Sequence, residues 1–194
     1  PADCSLDLAS LEAAITPRTR LLALGYASNA VGTVNDVAHA TKLAHAVGAW
    51  SFVDAVHYAP HGPIDVQALD CDFLVCSVYK FFGPHTGLLW GREDLLESLE
   101  AYKVVPAPAS GAGKWETGTQ SFESLAGVTA AVDYLAGLGE GGSRRERLAA
   151  GYAAIRRHEE GLAARFLAGV AAVPHLRLYG LADPARPAER TPTF

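Results

Sequence analysis

The feature that most constrains this chain is a rhythm of short apolar runs set between amphipathic ones. Residues 20–26, 50–53, 73–78 and 87–90 are of strand length and largely apolar, the pattern of strands buried in a sheet. Between the first two, Val37, Ala40, Leu43, Ala44 and Val47 recur at helical spacing behind a capping Asn35 or Asp36, which predicts a helix to about Val47. Residues 8–15 predict a short helix ahead of the first strand. Strands alternating with helices predict an α/β fold with a largely parallel sheet covered on both faces.

The second half changes character. Residues 103–113 are rich in Pro, Ala and Gly and read as a loop. A helix is expected over 125–138, broken by residues 139–142. Ser143 with Glu146 then forms a capping box before a long helix from Arg144 to about Ala172, which Pro174 stops. Residues 176–179 read as one more short strand. The expected organisation is a main α/β domain over 1–140, a linker helix over 141–173, and the start of a second domain over 174–194.

A chain that is 49% hydrophobic and 19% charged can bury a core, which excludes a disordered composition. The net charge of −5 argues against a nucleic-acid partner, which would call for a basic face. No apolar stretch is long enough to span a membrane, and Pro1-Ala2-Asp3-Cys4 lacks the pattern of a signal peptide. Three cysteines, Cys4, Cys71 and Cys76, form no zinc or disulfide spacing, so no metal site and a cytoplasmic location are expected. Cys71 and Cys76 sit in an apolar run, where cysteine packs as a small hydrophobe. The absence of any methionine and the abrupt end at Phe194 suggest a piece of a longer protein.

In open α/β sheets ligands bind beyond the carboxyl ends of the strands. Three strands deliver polar groups there: Ser28-Asn29 after the first, Asp54 after the second, and Ser77 to Lys80 after the third. A carboxylate, an amine, a hydroxyl and an amide aimed at one edge suit a pyridine-ring cofactor. Asp54 can pair with a protonated ring nitrogen. Lys80 can hold an aldehyde as a Schiff base and later move protons at a substrate carbon; beside Tyr79, Phe81 and Phe82, desolvation is expected to lower its pKa. Ser77 can donate to a phosphate, and Asn29 or His57 to a ring oxygen. The plainer alternatives are a turn cap for Asp54 and a solvated surface lysine for Lys80.

The wording of the motifs sharpens this. Ser28-Asn29-Ala30-Val31-Gly32-Thr33, then Val53-Asp54-Ala55-Val56-His57-Tyr58-Ala59-Pro60-His61, then Cys71 through Ser77-Val78-Tyr79-Lys80-Phe81-Phe82-Gly83-Pro84, and later Trp115-Glu116-Thr117-Gly118-Thr119-Gln120, closely resemble the class V aminotransferase family and its cysteine desulfurase-like branch. The resemblance runs in order from about Leu6 to the C-terminus. It implies the large domain of a fold-type I pyridoxal-5′-phosphate (PLP) enzyme, a three-layer, aspartate aminotransferase-like sandwich, here in part. It further implies Lys80 as the Schiff-base lysine, Asp54 as the partner of the pyridinium, Asn29 near the ring hydroxyl, and Ser77 as a phosphate ligand. Thr119 matches a threonine that reaches the phosphate of a neighbouring subunit, which implies a homodimer.

Two departures stand out. His57 replaces a glutamine and can still donate to the ring oxygen; Tyr79 replaces a histidine and can still bond a phosphate. None of the three cysteines matches the family's sulfur-accepting one. The resemblance also implies that a phosphate loop and a ring-stacking aromatic precede this stretch. The expected activity is therefore PLP chemistry on an amino-acid substrate: desulfuration, β-elimination or amino transfer. A non-catalytic remnant with a structural or dimerising role is the alternative. A dinucleotide-binding domain fits less well, because no G-x-G-x-x-G follows the first strand.

Among the remaining candidates, His85 could line the pocket and His61 is weaker, whereas His39 and His45 read as surface or packing residues. Lys114-Trp115-Glu116 could touch substrate or lie at an interface. Arg144, Arg145, Arg147, Arg156 and Arg157 alternate with glutamates and read as a solvated helix face.

Overall fold

A computed structural model describes residue 1, residues 3–116 and residues 118–194. Its centre is a four-stranded sheet in the order β1 (Leu21–Gly25), β2 (Trp50–Asp54), β3 (Phe73–Ser77), β4 (Gly87–Gly91). The first two pairings are parallel, with Leu21 opposite Trp50 and Phe52 opposite Phe73. The third is antiparallel, with Ser77 opposite Gly87, so the sheet is mostly parallel as expected. Helix α1 spans Leu8–Ala14, and α2 (Val37–His45) starts at Asp36, whose side chain accepts from the His39 N–H. Val37, Ala40 and Ala44 of α2 are buried, the face that the helical spacing marks.

Two short helices lay below what periodicity can register: α3 (Val66–Leu69), capped by Asp65, and α4 (Glu93–Ser98). Helix α5 (Phe122–Gly137) begins three residues earlier than expected. Helix α6 (Arg144–Ala171) carries the full capping box: Ser143 accepts from the Glu146 N–H, and Glu146 accepts from Ser143 at 2.9 Å. These bonds pull the Glu146 carboxyl below its usual range. Gly139 and Gly151 let the two helices meet backbone to backbone: a Cβ on Gly151 would stand 2.5 Å from the Leu135 carbonyl.

The core forms two linked clusters. Val37 of α2 packs with Val53, Ala55, Cys71 and Leu74, beside Val66 and Leu69 of α3; Ala131 and Leu135 of α5 pack with Ala59, Val78 and Phe81, beside Leu148, Tyr152 and Ile155 of α6. Leu74 and Cys76 alternate onto the same face of β3, so both clusters cover one side of the sheet. The opposite side carries Trp50, Phe52 and Phe73, with Trp50 and Phe73 meeting edge to face at 6.2 Å. The expectation of a sheet covered on both faces is not met among the described residues: Leu96 of α4 and Phe73 flank Gly91 on this side, while Leu21 and Leu89 stay about half exposed, because the helices pack on the other face.

The strand expected at 176–179 does not form; Leu176 and Tyr179 are exposed and have no ladder partner among the described residues. Instead, the chain beyond it returns to the sheet edge. Arg190 bridges Thr33, and the Thr191 N–H donates to the Gly32 carbonyl at 2.7 Å. No helix among the described residues is long and apolar enough to cross a membrane.

Candidate active site

The parallel order β1-β2-β3 puts three strand carboxyl ends side by side, and the loops that leave them carry the chemistry-bearing residues. Pairing continues past the strands: the Tyr26 N–H donates to the Asp54 carbonyl and the Ala55 N–H to the Val75 carbonyl, both at 2.8 Å. Asp54 is therefore held from both sides at the level of the backbone. Its carboxylate is exposed, and one oxygen accepts from the Val56 N–H at 2.9 Å. That is the turn-capping role given above as the plainer alternative, and it leaves the second oxygen outside this bond.

After β1, Asn29 sits exposed at the tip of a tight turn closed by the Gly32 N–H on the Ser28 carbonyl at 2.9 Å. The Ser28 hydroxyl accepts from the Ala30 and Val31 N–H groups, both at 3.3 Å. After β3 the chain enters a 3₁₀ turn, Val78–Phe81, anchored by the buried Val78 and Phe81. Ser77 is half-buried at its start, while Tyr79 and Lys80 point outward and are exposed. The expectation that Lys80 is desolvated fails here: the alternation that buries Val78 and Phe81 turns Lys80 to solvent. Its ammonium lies 5.3 Å from the centre of the Tyr79 ring, which stacks on His85 at 4.9 Å. His85 thus joins the cluster through Tyr79.

His57 meets two hydroxyls at this edge. Its Nε2 lies 2.7 Å from the Thr193 hydroxyl and 3.2 Å from that of Thr191, and its ring meets His61 edge-on at 5.4 Å. Burial, then the neighbouring His61 and Lys80, hold its pKa below the ordinary imidazole value. His61 in turn shares Glu159 of α6 through Nδ1 at 2.9 Å. Beneath them Tyr26 and Tyr58 stack at 3.9 Å, and burial pushes the Tyr26 hydroxyl well above its usual pKa. Thr119 is exposed in the loop before α5 and is not part of this hydrogen-bonded group among the described residues.

Sequence reasoning missed the contribution of residues 190–193. Arg190 is buried and donates to the carbonyls of Leu181, Thr191 and Thr193 while its guanidinium covers the Phe194 ring at 4.1 Å. Its contacts fix the two threonines that meet His57. They lie 134 and 136 residues away in sequence, and no local pattern could have marked them. Lys114, read above as a possible substrate contact, is buried and donates to the Leu96 and Glu97 carbonyls, both at 2.8 Å, closing the end of α4. His45 is a packing residue, bonded at 2.8 Å to the buried Asp72.

The sequence model of the family described as aminotransferase class-V matches residues 2–194. The chain belongs to that family. Its curated relatives include a cysteine desulfurase of Dickeya dadantii, 38% identical over 92% of this chain and 43% of that protein. Another is a cysteine desulfurase of Pectobacterium atrosepticum, 36% identical over 93% and 45%. The class V chain thus spans less than half the length of these relatives. Among solved structures it resembles the cysteine desulfurase CsdA of Escherichia coli, with a TM-score of 0.74 at 29% identity over 92% of this chain and 45% of that one. A cysteine desulfurase of Thermococcus onnurineus shares the fold, with a TM-score of 0.78 at 23% identity over 98% and 47%.

Proposed function

We propose that this chain carries the cofactor-binding edge of a pyridoxal-5′-phosphate enzyme that acts on an amino acid, with Lys80 holding the cofactor's aldehyde. The observation that carries the reading is the donor set on one sheet edge of a class V family member. It comprises an oriented carboxylate (Asp54), a solvent-accessible primary amine (Lys80), and hydroxyls (Ser77, Tyr79) on the same turn as the amine. These types fit the group's pyridinium, aldehyde and phosphate respectively. Asn29 and His57 would sit toward the ring oxygen, and Thr119 toward the phosphate of a second subunit in a homodimer.

Once bound, the pyridine ring supplies an electron sink for the substrate's α-carbon. Asp54 would hold the proton on the ring nitrogen, its geometry set by the Val56 N–H. Lys80 would hold the aldehyde and, as a primary amine beside it, would move a proton at the substrate carbon. The relatives named cysteine desulfurases make cysteine the first substrate to try. Neither Cys71 nor Cys76 suits a sulfur-accepting thiol: burial pushes Cys71 up to about 11 and raises Cys76 as well, so neither offers a thiolate at neutral pH. We read residues 1–140 as part of the large domain, α6 as the linker and residues 174–194 as the start of the small domain.

Titrating the purified protein with pyridoxal phosphate tests this. A saturable visible band is expected, abolished in Lys80→Ala and weakened in Asp54→Asn. A protein that folds yet gives no band would favour a structural or dimerising role instead.

A further inference from the structure

The two threonines on His57 form a chain with a direction. His57 Nε2 lies 2.7 Å from the Thr193 hydroxyl. The Thr193 and Thr191 hydroxyls are 3.3 Å apart, either one able to donate. The Thr191 hydroxyl lies 3.3 Å from the Gly32 carbonyl, which can only accept. Each hydroxyl has one hydrogen to give. Nε2 also lies 3.2 Å from the Thr191 hydroxyl, so four contacts share these hydrogens. With Nε2–H, three hydrogens fill three of the four: Nε2–H to Thr193, Thr193 to Thr191, and Thr191 to Gly32. If Nε2 carried the lone pair instead, only the two hydroxyl hydrogens would remain, and two of the four contacts would hold none.

The relay is firmly seated. Thr191 is 3% exposed, its N–H is bonded to the same Gly32 carbonyl at 2.7 Å, and the buried Arg190 donates to the Thr193 carbonyl at 2.7 Å. We propose that Thr193 and Thr191 are positioning residues that hold His57 as the Nε2–H tautomer, leaving Nδ1 as a hydrogen-bond acceptor at the sheet edge. Burial and the nearby His61 and Lys80 favour the neutral ring, in which the two nitrogens have opposite roles. The consequence for the cofactor rests on the function proposed above. There His57 would accept from a ring hydroxyl, rather than donate to a ring oxygen as the sequence suggested. The tautomer itself is a property of this chain's own residues and does not depend on that reading.

Nitrogen-15 histidine NMR on the protein, before and after adding pyridoxal phosphate, tests the inference. The Nε2–H form is expected to outweigh the other by roughly tenfold or more, the effect of about one net hydrogen bond on top of the intrinsic preference of imidazole. Thr193→Val leaves Nε2 the longer Thr191 contact at 3.2 Å and should lower the ratio, Thr191→Val together with Thr193→Val should bring it to that of a free imidazole, and Thr193→Ser, which keeps the hydroxyl, should restore it. A wild-type His57 in the Nδ1–H form, or a ratio unmoved in a folded Thr193→Val protein, would overturn the relay. Failure to bind pyridoxal phosphate with the tautomer as expected would count against the proposed function and leave the relay standing.

Discussion

Replacing Gly32 with alanine should loosen the join between the first βα turn and residues 190–193. Gly32 has φ +76°, a left-handed conformation that costs an L-residue roughly 1–2 kcal/mol. A Cβ there would stand 2.7 Å from both the Thr191 and Thr193 carbonyls, so the segment must move away. Moving it breaks two bonds to the Gly32 carbonyl, from the Thr191 N–H at 2.7 Å and its hydroxyl at 3.3 Å, each worth about 1 kcal/mol net. The expected loss is about 3–4 kcal/mol. Equilibrium urea unfolding measures it, and limited proteolysis checks that cleavage concentrates in residues 181–194. A variant well under about 1 kcal/mol from wild type, with that segment still protected, would show that neither the strain at Gly32 nor these bonds hold the join, since backbone strain alone should cost about 1 kcal/mol or more.

Asp72→Asn should cost about 2–3 kcal/mol in the same assay, because the buried carboxylate accepts from the Ser51 N–H at 2.7 Å and bonds His45 at 2.8 Å. Lys114→Met should cost about 1–3 kcal/mol and fray α4, leaving the Leu96 and Glu97 carbonyls without their donor, which hydrogen exchange of α4 would register. Acid should weaken the protein through His57. Its folded pKa lies below the ordinary 6.5, so the unfolded chain takes up the proton first. The stability it contributes is full above about pH 6.5 and falls as pH drops through the lowered folded value. Thermal melts of His57→Gln between pH 7 and pH 5 should lack that component of the slope; an unchanged slope would assign it elsewhere.

Much of this architecture can be read from local pattern. The spacing of Val37, Ala40 and Ala44 marks the buried face of α2, and Ser143 with Glu146 marks the start of α6, because both signals lie within one or two helical turns. Strand direction is not local: Gly87–Gly91 reads as a strand, but only its pairing with Phe73–Ser77 makes it antiparallel. Residues 176–179 have a strand's composition and fail to form one because no partner edge meets them among the described residues.

At the site, the positions of Asp54 and Ser77–Lys80 at strand ends follow from the strand assignments. The exposure of Lys80 does not, since it depends on which side chains of the 3₁₀ turn find the α5 side of the core. The grip of Thr191 and Thr193 on His57 joins the C-terminal segment to a turn 134 and 136 residues before it, and the burial of Lys114 depends on a helix too short to leave a periodic trace.

Borohydride reduction of the protein loaded with pyridoxal phosphate, followed by peptide mapping, decides whether Lys80 holds the cofactor's aldehyde. A pyridoxyl adduct on Lys80, absent from Lys80→Ala, is expected. An adduct on another lysine, or none on a folded protein at saturating cofactor, would contradict it.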